Sequence, residues 1–317
     1  MRRGEIPRDI PEVSAKVLER VRGVTVIPNL TLVERIVSPV DAFARYLFRG
    51  DGEDVFEAVR IPLMHRPGDM KYVVCVSCQV GCALGCAFCA TGRLGFVRNL
   101  AAWEIVDQVI KMQADSQYPV RGVVFMGMGE PMLNYDEVMR AARILSEPCG
   151  LAISGKAITI SSAGIIAGIR RFTEERQPFR LVVSLTSADA VTRGMLMPVE
   201  AANPTSGLMD ALREYHKVTG LRVTLAWTMI SGVNTSVRDA ELLSELTKGL
   251  PVKLDLIDVN DSTGRYMPPT PEELRLFRDA LRAKAGVPVA RRYSGGQDIN
   301  AACGMLAGSA VKRGRMT

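Results

Sequence analysis

The sequence predicts an α/β fold, an incomplete βα barrel of about six strand–helix units that follows a small β-rich cap. From about residue 73, short apolar runs rich in β-branched residues alternate with longer segments in which apolar residues recur at helical spacing, as at Ile105, Val109 and Met112. Apolar strands that alternate with helices are typical of a parallel sheet covered by helices. In a βα barrel the catalytic groups lie at the carboxyl ends of the strands.

The barrel strands are predicted at residues 73–76, 122–126, 157–161, 181–185, 222–230, 252–257 and 287–290. Helices are predicted between them at residues 101–114, 136–146, 164–172, 206–219, 236–247 and 271–285. The last helix has a clear start at Pro271. Proline has no backbone N–H, but in the first turn that group would have no partner within the helix, and the acidic Glu272 and Glu273 suit the positive end of a helix.

The region before the barrel has a different pattern. Residues 44–49, 55–63 and 71–76 alternate as strands do, and the segments GDGED and HRPGD between them carry hairpin-turn residues. Residues 12–21 are predicted as a short helix. We therefore expect a cap at residues 1–72, the barrel at 73–292 and a carboxyl-terminal segment with a basic tail at 293–317.

Composition limits the class of protein. The chain has 317 residues, 47% of them hydrophobic, which is enough for a large core. It has no signal-peptide pattern and no apolar run that could span a bilayer, so a soluble cytoplasmic monomer without membrane contact is expected. The net charge of +6 suits a phosphate-rich partner, although a solvated surface accounts for most arginines, including Arg170, Arg171, Arg291 and Arg292. The tail VKRGRMT is a candidate RNA contact.

Five of the seven cysteines are concentrated in the stretch CVSCQVGCALGCAFC, residues 75–89. In a reducing compartment, clustered cysteines more often bind metal or carry out redox chemistry than form structural disulfides. Zinc is one alternative, but zinc ribbons usually separate their cysteine pairs by about fifteen residues or more, and both histidines are far away. An iron–sulfur cluster, whose usual ligands are thiolates, fits the close spacing better.

Three of these cysteines, Cys82, Cys86 and Cys89, form a CxxxCxxC pattern with Phe88 before the last cysteine. Three ligands for a four-iron cluster leave one iron without a protein ligand, which gives a catalytic centre its open position. The pattern resembles the radical S-adenosylmethionine (SAM) superfamily. The resemblance implies a 4Fe–4S cluster on these three cysteines, and SAM bound to the open iron and cleaved to a 5′-deoxyadenosyl radical. Zinc or a plain electron-transfer cluster is the alternative.

Further motifs narrow the resemblance. The stretches CQVGCALGCAFCATG, MGMGEPMLNYD and DINAACGMLAG together resemble the RlmN/Cfr family, the dual-function radical-SAM methyltransferases of RNA adenines. The resemblance extends from about residue 55 to residue 308, in the family's order. It implies methylation of C2 or C8 of an adenine in RNA, most simply ribosomal RNA and otherwise transfer RNA, with electrons from an external donor such as a flavodoxin-type reductant.

The resemblance also implies catalytic roles. Cys303 would accept a methyl group from one SAM and, after hydrogen abstraction by the radical from a second SAM, join its methylene carbon to the base. Cys75 would release the product by forming a transient disulfide with Cys303. Glu57 would be the proton acceptor, the alternative being an exposed glutamate on an edge strand. A buried small hydrophobic residue is the alternative for Cys303. Cys149 is expected to have only a structural role, and Cys78 is expected to take no part in the chemistry.

Several residues at strand ends match the family's SAM-binding positions. Glu130 of the GMGEP motif can accept hydrogen bonds from the methionine ammonium, and Gly129 allows close backbone approach. The resemblance adds Ser161, Ser184, Leu185, Thr186 and Asn260. For a lone serine or asparagine at a strand end, a turn or cap role is the alternative.

The sequence departs from the family at three places. Thr186 stands where relatives usually have histidine, Val259-Asn260-Asp261 replaces a common Trp-Asn-Pro, and the amino-terminal region is shorter and is expected to lack a small helical domain that helps relatives bind RNA. These departures bear on the choice of substrate rather than on the chemistry. The alternatives are a radical-SAM methyltransferase of a peptide or metabolite and a non-catalytic iron–sulfur protein that binds RNA.

Overall fold

A ten-stranded mixed sheet forms the centre of the chain in the computed structural model, which describes residues 9–64 and 68–306. Its strands, in spatial order, are β1 (Thr31–Val37), β2 (Ala44–Arg49), β3 (Val55–Met64), β4 (Met70–Cys75), β7 (Val120–Phe125), β8 (Ile158–Ser162), β9 (Arg180–Ser184), β10 (Val223–Met229), β11 (Val252–Asp258) and β12 (Val289–Arg292). Two further strands, β5 (Gln79–Gly81) and β6 (Phe96–Asn99), form a separate antiparallel pair.

Within the ten-stranded sheet, β4 and β7 to β12 are parallel, and each lies beside the next strand of that sheet along the chain. Helices connect them: α3 (Ala102–Ala114), α4 (Tyr135–Ser146), α5 (Ile166–Glu174), α6 (Ala190–Leu196), α7 (Thr205–Thr219), α8 (Val237–Leu246) and α9 (Pro271–Lys284). Among the described residues β12 pairs only with β11, so the barrel does not close. This is the incomplete βα barrel that the sequence predicts.

The cap strands extend the same sheet. Strands β1 to β4 pair antiparallel in chain order, and β4 then pairs in parallel with β7. The predicted boundary at residue 72 falls inside β4 and stays a prediction. Strand β1 was not predicted, because its side chains are mostly exposed and show no apolar alternation. Helix α1 (Ala15–Val24) begins later than predicted, since the Ser14 hydroxyl accepts a hydrogen bond from the Val17 amide and caps it.

Local sequence explains where the barrel helices begin. At α9, the Thr270 hydroxyl accepts from the Glu273 amide while the Glu273 carboxylate accepts from the Thr270 amide, with Pro271 between them. Two short helices, α2 (Ala90–Leu94) and α6, were not predicted because one or two turns are too short to show periodicity. No helix in the described ranges is long and apolar enough to cross a bilayer. The tail VKRGRMT lies outside the described residues.

The core lies between the sheet and the surrounding helices. Trp227 of β10 is fully buried and packs against Phe277 of α9, with ring centroids 5.9 Å apart. Burying this aromatic pair fixes α9 against the sheet. The carboxyl ends of neighbouring parallel strands are therefore held together at one edge of the sheet, where the loops carry the predicted functional residues.

Candidate active site

Predicted site residues converge at the carboxyl ends of the parallel strands. Cys75 is the last residue of β4, and Gly129 and Glu130 follow β7. Ser161 lies near the end of β8, and Ser184 ends β9. Because neighbouring parallel strands end at the same edge of a sheet, these residues come close together although they are far apart in the sequence.

The cysteine loop runs from β5 to α2, between the two strands of the β5–β6 pair. Gly81 has a φ of 73°, and a Cβ there would lie 1.9 Å from the Gly95 carbonyl oxygen, so only glycine fits. The Cys82 amide donates to the same carbonyl oxygen over 2.9 Å. At the other end, the Cys89 amide donates to the Cys86 carbonyl just before α2. The hairpin thus fixes the ends of the loop.

A cavity of about 180 Å³ opens at this edge of the barrel, and we call it the carboxyl-end cavity. Its lining includes the three cysteines of the loop, the glycine and glutamate of GMGEP, both serines of the strand ends, the asparagine after β11 and the carboxyl-terminal cysteine: Cys82, Cys86, Cys89, Gly129, Glu130, Ser161, Ser184, Asn260 and Cys303. Most of the residues predicted to bind the cluster and SAM therefore face one space.

The three loop thiols are suited to a cluster. All are free cysteines. Burial raises the pKa of Cys82 to about 11 and that of Cys86 to about 12, so ionised thiolates there need a bound cation. Among the described residues no three His, Cys, Asp or Glu side chains converge on a single metal ion. A cubane does not require this, since each thiolate binds a different iron. The donor set fits a cluster held by three cysteines.

Glu130 is a buried carboxylate at the end of β7. Burial raises its pKa to about 7, against hydrogen bonds that lower it. One of its carboxylate oxygens accepts from the Met132 amide over 3.0 Å and the other from the Ala163 amide over 2.8 Å. Gly129 has a φ of 102° and packs against Gln79, where a Cβ would clash at 2.6 Å. Glu130 therefore ties the loops after β7 and β8 together while it faces the carboxyl-end cavity.

Leu185 and Thr186 differ from the other predicted SAM contacts. Both are fully buried, and neither lines the carboxyl-end cavity. Thr186 has a φ of 62°, unusual for a β-branched residue, and its buried hydroxyl oxygen has no hydrogen-bond partner among the described residues. Its carbonyl oxygen accepts from the Asn234 amide group over 2.7 Å. The position where this chain departs from the family is thus strained.

Cys303 lies between two spaces. It lines the carboxyl-end cavity and also a larger cavity of about 670 Å³ on the inner face of the sheet, the barrel cavity. The residues shared by both cavities are Cys89, Met126, Gly127, Ile257, Cys303 and Gly304. Cys75 also lines the barrel cavity, and its pKa is raised by burial and by the nearby Cys303 thiol. Cys303 remains accessible through the cavity, although surrounding protein raises its pKa as well.

The loop that carries Cys303 is held by polar contacts. The Asn260 side-chain amide donates to the Ser294 hydroxyl over 2.9 Å and to the Cys303 carbonyl over 3.3 Å, and it accepts from Gln297. Asp41 of the cap accepts from the Gly296 amide over 2.8 Å. Asn260 thus organises this loop as well as lining the cavity.

Glu57 lies in β3, an interior strand, and is fully buried. The alternative of an exposed glutamate on an edge strand is therefore wrong. One Glu57 carboxylate oxygen lies 3.0 Å from the Arg45 guanidinium, which is itself buried. Glu57 lines neither cavity, but it lies on the same face of β3 as Val59, which lines the barrel cavity and is paired with Cys75.

The other two cysteines lie apart from the thiols described above. Cys149 is exposed, and Cys78 is buried with its sulfur 3.7 Å from the Met128 carbonyl oxygen; neither lines the two cavities. Sequence reasoning missed Arg292 and Ser294 as cavity residues. Arg292 was expected on the solvated surface, but it lowers the pKa of both Cys75 and Cys303. Arg292 ends β12 and lies shortly before the DINAACG motif in the sequence, and this proximity was the available signal.

Comparisons with known proteins agree with this geometry. A family model described as the Radical SAM superfamily matches residues 76–243. A Myxococcus xanthus protein named "Probable RNA methyltransferase" is 51% identical over 296 residues, which cover 93% of this chain and 81% of that protein. A Deinococcus deserti protein named "Probable dual-specificity RNA methyltransferase RlmN" is 42% identical over 277 residues, covering 86% of this chain and 79% of that protein.

A solved structure gives the same result. The crystal structure of a radical SAM methyltransferase from Sphaerobacter thermophilus superposes with a TM-score of 0.85 at 36% identity, covering 93% of this chain and 86% of that one. The superfamily match spans more than half of the chain, and the relatives match over most of their own length. This chain therefore belongs to the radical SAM superfamily and, within it, to the RlmN/Cfr family of methyltransferases.

Proposed function

We propose that this chain methylates a ring carbon of adenine, C2 or C8, in ribosomal or transfer RNA, with Cys303 as the carrier of the methyl group. One observation carries the proposal: Cys303 lines both the carboxyl-end cavity, which holds the cluster cysteines, and the barrel cavity, which holds Cys75. A thiol in that position can receive a carbon from one side and deliver it to the other. Relatives named as RNA methyltransferases support RNA as the substrate.

Cys82, Cys86 and Cys89 would hold a 4Fe–4S cluster, which supplies the electron that cleaves SAM. Glu130, Gly129 and the strand-end residues Ser161 and Ser184 would bind and orient SAM in the carboxyl-end cavity. Leu185 and Thr186 follow Ser184 and are both buried, so they would support the SAM-binding residues by packing behind the cavity wall. The apolar side chains of Leu84, Phe88 and Met197 line the same cavity and would exclude water from the bound SAM.

Cys303 would attack the SAM methyl group as a thiolate and become S-methylcysteine. S-adenosylhomocysteine would leave in that transfer. After the 5′-deoxyadenosyl radical from a second SAM has taken one hydrogen atom from the methyl group, its carbon would bond to the adenine ring, and the ring adduct would give up one electron, which would return to the cluster. Glu57 is proposed to accept the proton that the ring carbon then loses. Cys75 would attack the sulfur of Cys303 as a thiolate, so that the disulfide forms as the carbon–sulfur bond breaks, and the released CH2 carbon would take up a proton to become the methyl group of the base. An external reductant would restore both thiols.

The test is mass spectrometry of nucleosides from RNA incubated with reconstituted enzyme, SAM and a flavodoxin-type or chemical reductant. The substrate is total RNA from a strain that lacks this gene. The wild-type enzyme should produce methyladenosine, and Cys303→Ala should produce none. Cys75→Ala should instead accumulate protein covalently joined to RNA, because the thiol that resolves the adduct is missing.

The matched control is Cys149→Ala, which removes a thiol that lines neither cavity. It should methylate RNA at the wild-type rate. Free methyladenosine from Cys303→Ala would contradict the proposal. Cleavage of SAM without any methylated RNA would instead indicate a radical SAM enzyme that acts on another substrate.

A further inference from the structure

Basic side chains surround one end of the barrel cavity. Lys71 is on β4, Arg121 is on β7, Lys156 lies in the turn Gly155–Ala157 just before β8, and Arg180 begins β9. All four line the cavity, and all lie at the amino ends of neighbouring parallel strands. We call these four residues the basic mouth. None of the described residues that line this cavity is an aspartate or a glutamate.

The charges of the basic mouth are largely uncompensated. No residue in the described ranges forms an ion pair with Arg121, Lys156 or Arg180, all of which are exposed. Lys71 lies 3.7 Å from Asp69, whose side chain is exposed, while the Lys71 side chain is partly buried. Many arginines on the outer helices, in contrast, pair with an acid on the same helix. Clustered cations in a concave site attract anions.

The barrel cavity connects the basic mouth with the two thiols. Lys71, Val73 and Cys75 occupy alternate positions of β4 and all line the cavity. Lys71 and Cys75 are four residues apart on one strand, which corresponds to about 13 Å. Between the two ends the wall is apolar and includes Val59, Ile61 and Val124. The volume of about 670 Å³ is within the range of sites that enclose small organic ligands.

We infer that the basic mouth binds backbone phosphates of a single-stranded segment of RNA, and that the target base reaches Cys75 and Cys303 through the barrel cavity. This inference rests on the proposed function. A base whose ring carbon is to be modified must leave its stack, and single-stranded RNA allows this at low cost. The polarity of the cavity matches such a nucleotide, with cations at the open end for the phosphates and an apolar wall for the base.

The experiment compares two triple variants of the full-length protein. Arg121→Ala/Lys156→Ala/Arg180→Ala removes three cations of the basic mouth. Its matched control is Arg140→Ala/Arg238→Ala/Arg282→Ala, which removes three cations whose side chains are 65%, 66% and 67% exposed on the outer helices. Both variants lose the same net charge. The probe is a fluorescein-labelled single-stranded oligoribonucleotide, and fluorescence anisotropy gives its binding constant over a range of salt concentrations.

Each phosphate contact on a single strand contributes about 0.7 to the slope of log K against log salt concentration. The basic-mouth variant should therefore lose about 2 units of slope. When the salt is raised from 50 to 200 mM, the factor by which its binding constant falls should be about 16 times smaller than the factor for the wild type. The control variant should keep the wild-type slope. Equal slopes in all three proteins, or an equal loss in both variants, would overturn the inference.

Two further measurements keep the test decisive. If the basic-mouth variant unfolds at a lower temperature than the control, Lys156→Gln replaces it and should lose about 0.7 units of slope. Methylation of RNA by the wild type is measured separately. If the wild type methylates RNA but the slopes are equal, only the inference about the basic mouth fails. If the wild type methylates no RNA, the proposed function fails, whatever the slopes are.

Discussion

Replacing Asp41 with alanine should free the loop that carries Cys303 while the barrel stays folded. Asp41 belongs to the cap, yet its carboxylate accepts hydrogen bonds from the Gly296 amide over 2.8 Å and from the Tyr293 hydroxyl over 3.0 Å. Both donors lie in the segment before Cys303. Asp41 lines neither cavity, so its removal changes the position of the loop without removing a residue that faces substrate or cofactor.

The size of the effect follows from these two contacts. Each hydrogen bond contributes about 1 kcal/mol net, so the variant should lose about 2 kcal/mol of docking free energy. This corresponds to an increase of about 30-fold in the population of the undocked loop, since 1.4 kcal/mol is a factor of ten. The contacts made by Asn260 with Ser294 and Cys303 remain and hold part of the loop in place.

Amide hydrogen exchange of a peptide that covers residues 293–304, followed by mass spectrometry, measures this opening. The exchange in that segment should accelerate by about 30-fold, and iodoacetamide should alkylate Cys303 faster. The matched control is Asp189→Ala, because Asp189 also accepts two hydrogen bonds, both from Thr192, but does so at the start of α6. The control should leave exchange at residues 293–304 unchanged.

Unchanged exchange at residues 293–304 in Asp41→Ala would refute the reasoning, since the docking would then not depend on the cap. The same acceleration in both variants would also refute it, because the effect would then reflect general destabilisation. Methylation activity adds a second readout. The Asp41 variant should methylate RNA more slowly, whereas the Asp189 variant should methylate it at nearly the wild-type rate.

Three further predictions concern the cysteine loop, the strained residue and the buried ion pair. Gly81→Ala should reduce the iron content per chain after reconstitution far more than Gly85→Ala, because a Cβ at Gly81 meets a carbonyl oxygen at 1.9 Å while the one at Gly85 meets open space. Thr186→Val should raise the free energy of unfolding by about 1 kcal/mol in denaturant titrations, since it removes a buried hydroxyl that has no hydrogen-bond partner in the part of the chain that the structure describes; a decrease would contradict this. Glu57→Gln should lower that free energy by about 2 kcal/mol, because it removes the carboxylate nearer to the buried Arg45 guanidinium while Glu34 stays 3.5 Å from it. Arg45→Met/Glu57→Met should recover most of this loss. If Glu57 is the proton acceptor, the double variant should fold but still not release methylated RNA.

The sequence by itself determined the elements of this fold and the loop that is proposed to bind the cluster. Strands and helices are local patterns, so the alternation of apolar runs and helical periodicity predicts the barrel to within a few residues at most ends. The CxxxCxxC spacing is also local, and it identifies Cys82, Cys86 and Cys89 without knowledge of the rest of the chain. The family motifs added Cys75 and Cys303 as a pair, but only by resemblance.

Only the tertiary structure decided which distant residues meet. Cys303 and Cys75 line one cavity because β4 and the segment after β12 border the same space, and sequence spacing contains no information about that. The burial of Glu57 against Arg45 depends on the strand order, which places β3 inside the sheet. The basic mouth likewise exists only because parallel strands bring their amino ends together. Periodicity reports on neighbours along the chain, whereas these contacts are set by the order and register of the strands.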